Sequence, residues 1–141
     1  MPLTYALLAL TLLSMHHARG TFTVDLKPLT STLPGTSRYS LDKQFHGDIE
    51  GTSQGEMFGA GDPKKGAAGY VAIEVITATM GGKHGTFALQ HSSTMDASGM
   101  KQNIQVAPGS GTGDFTGISG NFEIILESGK HSYDFTYTLP Q

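Results

Sequence analysis

LDKQFHGDIEGTSQGEM, residues 41–57, decides the fold. Read as extended chain, its even positions are Asp42, Gln44, His46, Asp48, Glu50, Thr52, Gln54 and Glu56, every one polar. Its odd positions are Leu41, Lys43, Phe45, Gly47, Ile49, Gly51, Ser53, Gly55 and Met57. A period of two sustained this long belongs to β-structure with one wet face. Glycines 47, 51 and 55 fall on the same face, where a long strand pair must bend or bulge. Closing a sheet into a barrel demands such bends, and closure removes the exposed edges.

Outward from this stretch the same period recurs. Phe22, Val24 and Leu26 alternate with polar residues, as do Tyr39 and Leu41, Phe87 and Leu89, and Ile104 and Val106. Phe122, Ile124 and Leu126 follow, then Tyr133, Phe135, Tyr137 and Leu139. Gly, Pro, Asn, Asp and Ser bound each run, and Gly81-Gly82 and Ser128-Gly129 stand where tight turns need positive φ. No convincing helical stripe appears after residue 20. The expectation is an all-β fold, a closed or nearly closed eight-stranded antiparallel β-barrel formed by residues 21–141.

Val71-Ala72-Ile73-Glu74-Val75-Ile76 is apolar on both faces apart from Glu74, so both faces are expected to be covered. In a small barrel one faces the core and the other a loop or a second subunit, which points to a homo-oligomer.

Composition narrows the function classes. The 141 residues include 19 glycines and no cysteine, which excludes disulfide frameworks, thiolate catalysis and cysteine zinc sites. Charged residues are 15% of the chain, below the ~25% of ordinary soluble domains. A formal charge of −3 offers no basic footprint for nucleic acid. The run GSGTG at 109–113 lacks the spacing of a dinucleotide loop and the lysine of a phosphate loop, and it leads into another strand. Its glycines are expected to pack backbone tightly at a barrel rim.

Residues 1–20, MPLTYALLALTLLSMHHARG, differ from the rest. The apolar run Leu3–Met15 is thirteen residues long, or ~20 Å as a helix, short of the ~30 Å core of a bilayer. It fits the hydrophobic region of a signal peptide, with Ala18 and Gly20 preceding a cut before Thr21. Export to the periplasm or beyond follows from that reading, with no membrane span in the mature chain. A mis-assigned start or an additional helix is the alternative. His16 and His17 would leave with the leader and are not read as a metal site.

Few groups can carry chemistry. Glu74 lies inside the most apolar strand, so it must be paired, with Lys43 or Arg38, or carry a raised pKa. Lys43, between Leu41 and Phe45 on the inner face, needs a carboxylate such as Glu74 or Glu56, or a ligand anion. His91 shares a face with Phe87 and Leu89 and is either a hydrogen-bonded core residue or a proton carrier in a pocket. His46, Asp48 and Glu50 would share a face on a regular strand, but an outward polar face explains them as well, and no metal is expected. Tyr70, Tyr133, Phe135 and Tyr137, with Phe45 and Phe87, make either a packed core or the wall of an aromatic-lined cavity. No G-x-S-x-G elbow appears, so acyl hydrolysis is not expected.

The pieces GTFTVDLKP at 20–28, SLDKQFHGDIEGTSQGEM at 40–57, GYVAIE at 69–74, GTFALQHS at 85–92, GSGTGDFTGISG at 109–120 and GKHSYDFTYTLP at 129–140 together resemble an uncharacterised bacterial family. It is a domain of unknown function with an allene oxide cyclase-like barrel, and the resemblance spans residues 20–140. It implies an eight-stranded antiparallel barrel with a central cavity and a tendency to self-associate, and it implies no activity and no cofactor. Allene oxide cyclases and dirigent proteins, similar in architecture, guide reactive lipid or phenolic intermediates; that likeness concerns the fold alone. Three functions are weighed. The first is binding of a small, mostly apolar ligand in the cavity, with Lys43, Phe45, Tyr70, Phe87, Tyr133, Phe135 and Tyr137 as ligand-binding residues. The second is an isomerase or cyclase using His91 and Glu74 as catalytic residues. The third is a structural or partner-binding barrel with a filled core.

Overall fold

The computed structural model describes residues 13–141, so Leu3–Leu12 of the expected leader lie outside the described residues. Those residues form nine strands and one short 3-10 turn: β1 (Leu13–Leu29), β2 (Thr36–Gly47), β3 (Ile49–Asp62), the turn Pro63–Lys65, β4 (Ala67–Met80), β5 (Lys83–Asp96), β6 (Gly99–Val106), β7 (Thr112–Gly113), β8 (Ser119–Glu127) and β9 (Lys130–Pro140). Every pairing is antiparallel. The order β4-β3-β2-β1-β9-β8-β6-β5, with β4 paired back onto β5, closes the sheet into an eight-stranded barrel. β7 is an extra two-residue strand on β5.

The odd face of residues 41–57 does point inward: Leu41, Lys43, Phe45, Ile49 and Ser53 are buried. The stretch is a hairpin, though, with β2 ending at Gly47 and β3 starting at Ile49. Phe45 pairs with Gly51, so the reversal centres on Asp48, an even position, and the inward parity passes through the turn unchanged. The two-residue turns expected at Gly81-Gly82 and Ser128-Gly129 hold positive φ at both positions, 59° and 74° in the first, 50° and 74° in the second.

β1 starts eight residues before the boundary expected at Thr21, and its Leu13–Gly20 half pairs with Tyr133–Pro140 of β9. A cut before Thr21 would remove that pairing together with the buried Ala18. Strand alternation sends His16 and His17 to opposite faces: His16 stacks on Tyr137, and His17 faces Asp134.

The barrel is filled at one end and hollow at the other. Phe45, Phe87, Phe122, Tyr133, Phe135 and Tyr137 form a continuous layer of ring contacts with centroids 5.0–6.2 Å apart. Beyond it, the segment 107–118 folds over the end and inserts the fully buried Phe115 edge-on to Phe87. The glycines of 109–113 sit in this segment, at the barrel rim as expected, and a side chain on Gly111 would collide with the Phe115 carbonyl. At the opposite end, where the connections 30–35, 63–66, 97–98 and 128–129 lie, the described residues form no such plug.

Tyr133 fastens the layer to the β2–β3 turn. Its hydroxyl accepts the Ile49 N–H at 2.9 Å and donates to the His46 carbonyl at 3.1 Å. Ile49 is fully buried, so Tyr133→Phe strands its N–H without water or partner. The expected loss is about 1–3 kcal/mol, read as a lower urea midpoint at unchanged slope.

The weakest join lies between β6 and β8, where the ladder holds a single pair, Gln105 with Asn121. Past it a side chain takes over, the Gln102 amide oxygen accepting the Ile124 N–H at 2.8 Å. On β4 the inner face is covered by the core, whereas the outer Val71, Ile73 and Val75 stay 55%, 49% and 46% exposed, uncovered by the described residues.

Candidate ligand site at the open end of the barrel

Above the aromatic layer lies a cavity of about 470 Å³, within the usual range of small-molecule sites. Its wall is mainly apolar: Phe22, Val24, Leu26, Leu41, Met57, Ala72, Met100, Ile124 and Leu126. Lys43, Tyr70, His91, Gln102 and His131 supply the polar positions.

Beneath the wall sits a buried charge network built from four strands. Glu74 of β4 is fully buried, Lys43 of β2 is 5% exposed and His91 of β5 is 3% exposed. The Lys43 ammonium donates to Glu74 Oε1 at 2.8 Å, and His91 Nε2 meets the same oxygen at 2.7 Å. Ser53 of β3 donates to Oε2 at 2.5 Å. Register explains the convergence. Ala72 stands opposite His91 and Gly55 opposite Glu74, so His91 and Ser53 are the diagonal neighbours of Glu74 on either side. Gly55 is required here, because a Cβ at that position would lie within 2.7 Å of the Glu74 Cα.

Burial pushes the Glu74 pKa up, but the His91 hydrogen bond and the Lys43 ammonium outweigh it and hold the carboxyl down at about 2. Glu74 is therefore an ionised, fully engaged acceptor near neutral pH, and its chemistry is to fix Lys43 and His91. Lys43 also stands 4.7 Å from the centre of the Phe22 ring. Tyr70 is half-buried and 6.5 Å from the His91 ring; burial and the nearby Glu74 charge raise its pKa.

Of the residues singled out in the sequence, Lys43, Glu74, His91 and Tyr70 come together at this cavity. Phe45, Phe87, Tyr133, Phe135 and Tyr137 do not line it; they pack in the layer below. Arg38 pairs with Glu56 at the surface, which leaves Lys43 as the partner of Glu74. His46, Asp48 and Glu50 surround the β2–β3 turn rather than one strand face. There Asp48 accepts the Arg19 N–H and Glu50 the Gly47 N–H, while His46 Nδ1 lies 3.5 Å from the other Glu50 oxygen. Ser53, Gln102, Met57, Met100 and His131 were missed; Ser53 and Met57 carried a signal, both standing on the odd face of residues 41–57.

The fold and the cavity define a closed antiparallel β-barrel with one plugged end, one open end and a buried carboxylate at mid-height. The chain belongs to the DUF3224 family, described as a protein of unknown function, whose model matches residues 18–137. It is similar to the solved structure of a protein with unknown function from that family in Shewanella oneidensis MR-1, at 38% identity and a TM-score of 0.83, with 91% of this chain and 98% of the other covered. Comparison with curated proteins gives no match.

Proposed function

We propose that this protein binds a small, mostly apolar molecule in the open half of its barrel. One observation carries the reading: an eight-stranded barrel can be filled by its own side chains, and here only one end is. The other keeps a cavity of about 470 Å³ with apolar walls, over a floor held rigid by Glu74. With both Glu74 oxygens engaged, the floor presents no unpaired carboxylate to an apolar ligand. The test is native mass spectrometry of protein purified from its own host, with thermal shifts across an apolar ligand library. A retained adduct or a concentration-dependent rise in Tm is expected; the absence of both overturns the reading.

The 2.7 Å contact between His91 and Glu74 favours a second reading, an isomerase or cyclase that uses the cavity as a mould. In it Glu74, ionised down to about pH 2, orients, and His91 moves the proton. His91→Ala would then abolish turnover, whereas under simple binding it only shifts affinity.

A further inference from the structure

Two of the polar groups that face the cavity, Lys43 and Gln102, offer N–H donors and no free acceptor. Lys43, Tyr70, His91, Gln102 and His131 line it, and among the described residues no Asp or Glu does. Glu74 lies behind the wall with both oxygens engaged. Gln102 spends its amide oxygen on the Ile124 N–H, which leaves its N–H donors. Lys43 has three N–H groups, is 5% exposed, and makes one hydrogen bond among the described residues, to Glu74. A buried ammonium with unused donors at the base of an apolar cavity fits an oxyanion on an apolar body.

The shape adds a second constraint. Met57, Tyr70 and Met100 line this cavity and also a neighbouring one of about 410 Å³ beneath the Pro63–Lys65 turn. The two share a wall of thioethers and a phenol, and thioethers yield readily to an irregular ligand.

Resting on the binding reading above, we propose that the ligand is an elongated apolar monocarboxylate. Its carboxylate accepts from the Lys43 ammonium, and its chain runs past Met57, Tyr70 and Met100 into the neighbouring cavity.

The experiment is isothermal titration of the full chain with dodecanoate, dodecanol and methyl dodecanoate, which share one apolar body. Dodecanoate is expected to bind about tenfold or more tighter than either neutral probe, the scale of one charge-assisted hydrogen bond. The Lys43→Met/Glu74→Gln double variant, which removes both charges together, should erase that preference and leave dodecanol within about threefold. Equal affinity for dodecanoate and dodecanol in the wild-type chain overturns the carboxylate proposal and leaves the apolar site standing. A preference that survives in the double variant overturns the role of Lys43. Binding of no probe overturns the binding reading itself.

Discussion

Glu74→Leu is expected to destabilise the protein by about 3–5 kcal/mol, because it leaves the Lys43 ammonium buried without its counter-charge. For a domain of this size that lowers Tm by on the order of 10 °C or more. The Lys43→Met/Glu74→Leu double variant should recover most of the loss, since replacing both members of a buried pair by apolar groups is often neutral. Acid supplies an independent reading of the same contact. The folded carboxyl titrates at about 2, below the ordinary 4.5, so the unfolded chain binds the proton at higher pH. The stabilisation is therefore complete above about pH 4.5 and fades as the pH falls toward 2, over which it amounts to ~3 kcal/mol. Urea unfolding of wild type and Glu74→Gln across that window should give stability curves that converge on acidification. Parallel curves would mean that the carboxylate contributes no pH-linked stability.

That pair was legible in the sequence for a plain physical reason. A single acid in Val71–Ile76 and a single base between Leu41 and Phe45 each lie on a face where an unpaired charge is costly. Parity puts Lys43 on one face with Leu41 and Phe45, and the structure turns that face inward, the β2–β3 reversal at Asp48 preserving it. His91 as the third partner was also within reach. A two-residue turn at Gly81-Gly82 sets Met80 opposite Lys83, and counting back puts Ala72 opposite His91. Ser53 was harder, because the register of β3 on β4 depends on the longer connection through Pro63–Lys65. The division into a filled and a hollow end could not be read at all. Alternation says which residues share a face but not their height in the cylinder, so Tyr133, Phe135 and Tyr137 look the same whether they line a cavity or lie beneath it. Height follows from strand stagger and from how segment 107–118 folds over, and neither leaves a periodic trace.

The plug at the closed end yields the second large effect. Phe115→Ala should cost about 3–5 kcal/mol, since it removes a fully buried ring and leaves a void that the strapped loop is poorly able to fill. The strap is well defined: Asp114 N–H donates to the His84 carbonyl at 3.0 Å, the Asp114 carboxylate accepts the His84 N–H at 2.9 Å, and Ile118 N–H donates to the Phe115 carbonyl at 3.0 Å. Gly111 admits that carbonyl where any side chain would block it, which is the use this glycine-rich run finds in place of a phosphate. Phe115→Leu, which keeps most of the apolar volume, should lose only about 1 kcal/mol. Urea midpoints of the two variants against wild type provide the comparison. Because the aromatic layer stands between Phe115 and the open cavity, affinity for apolar probes should stay at its wild-type value in both. A loss below about 1 kcal/mol in the alanine variant would show that the ring is dispensable and that this end is closed by the backbone strap alone.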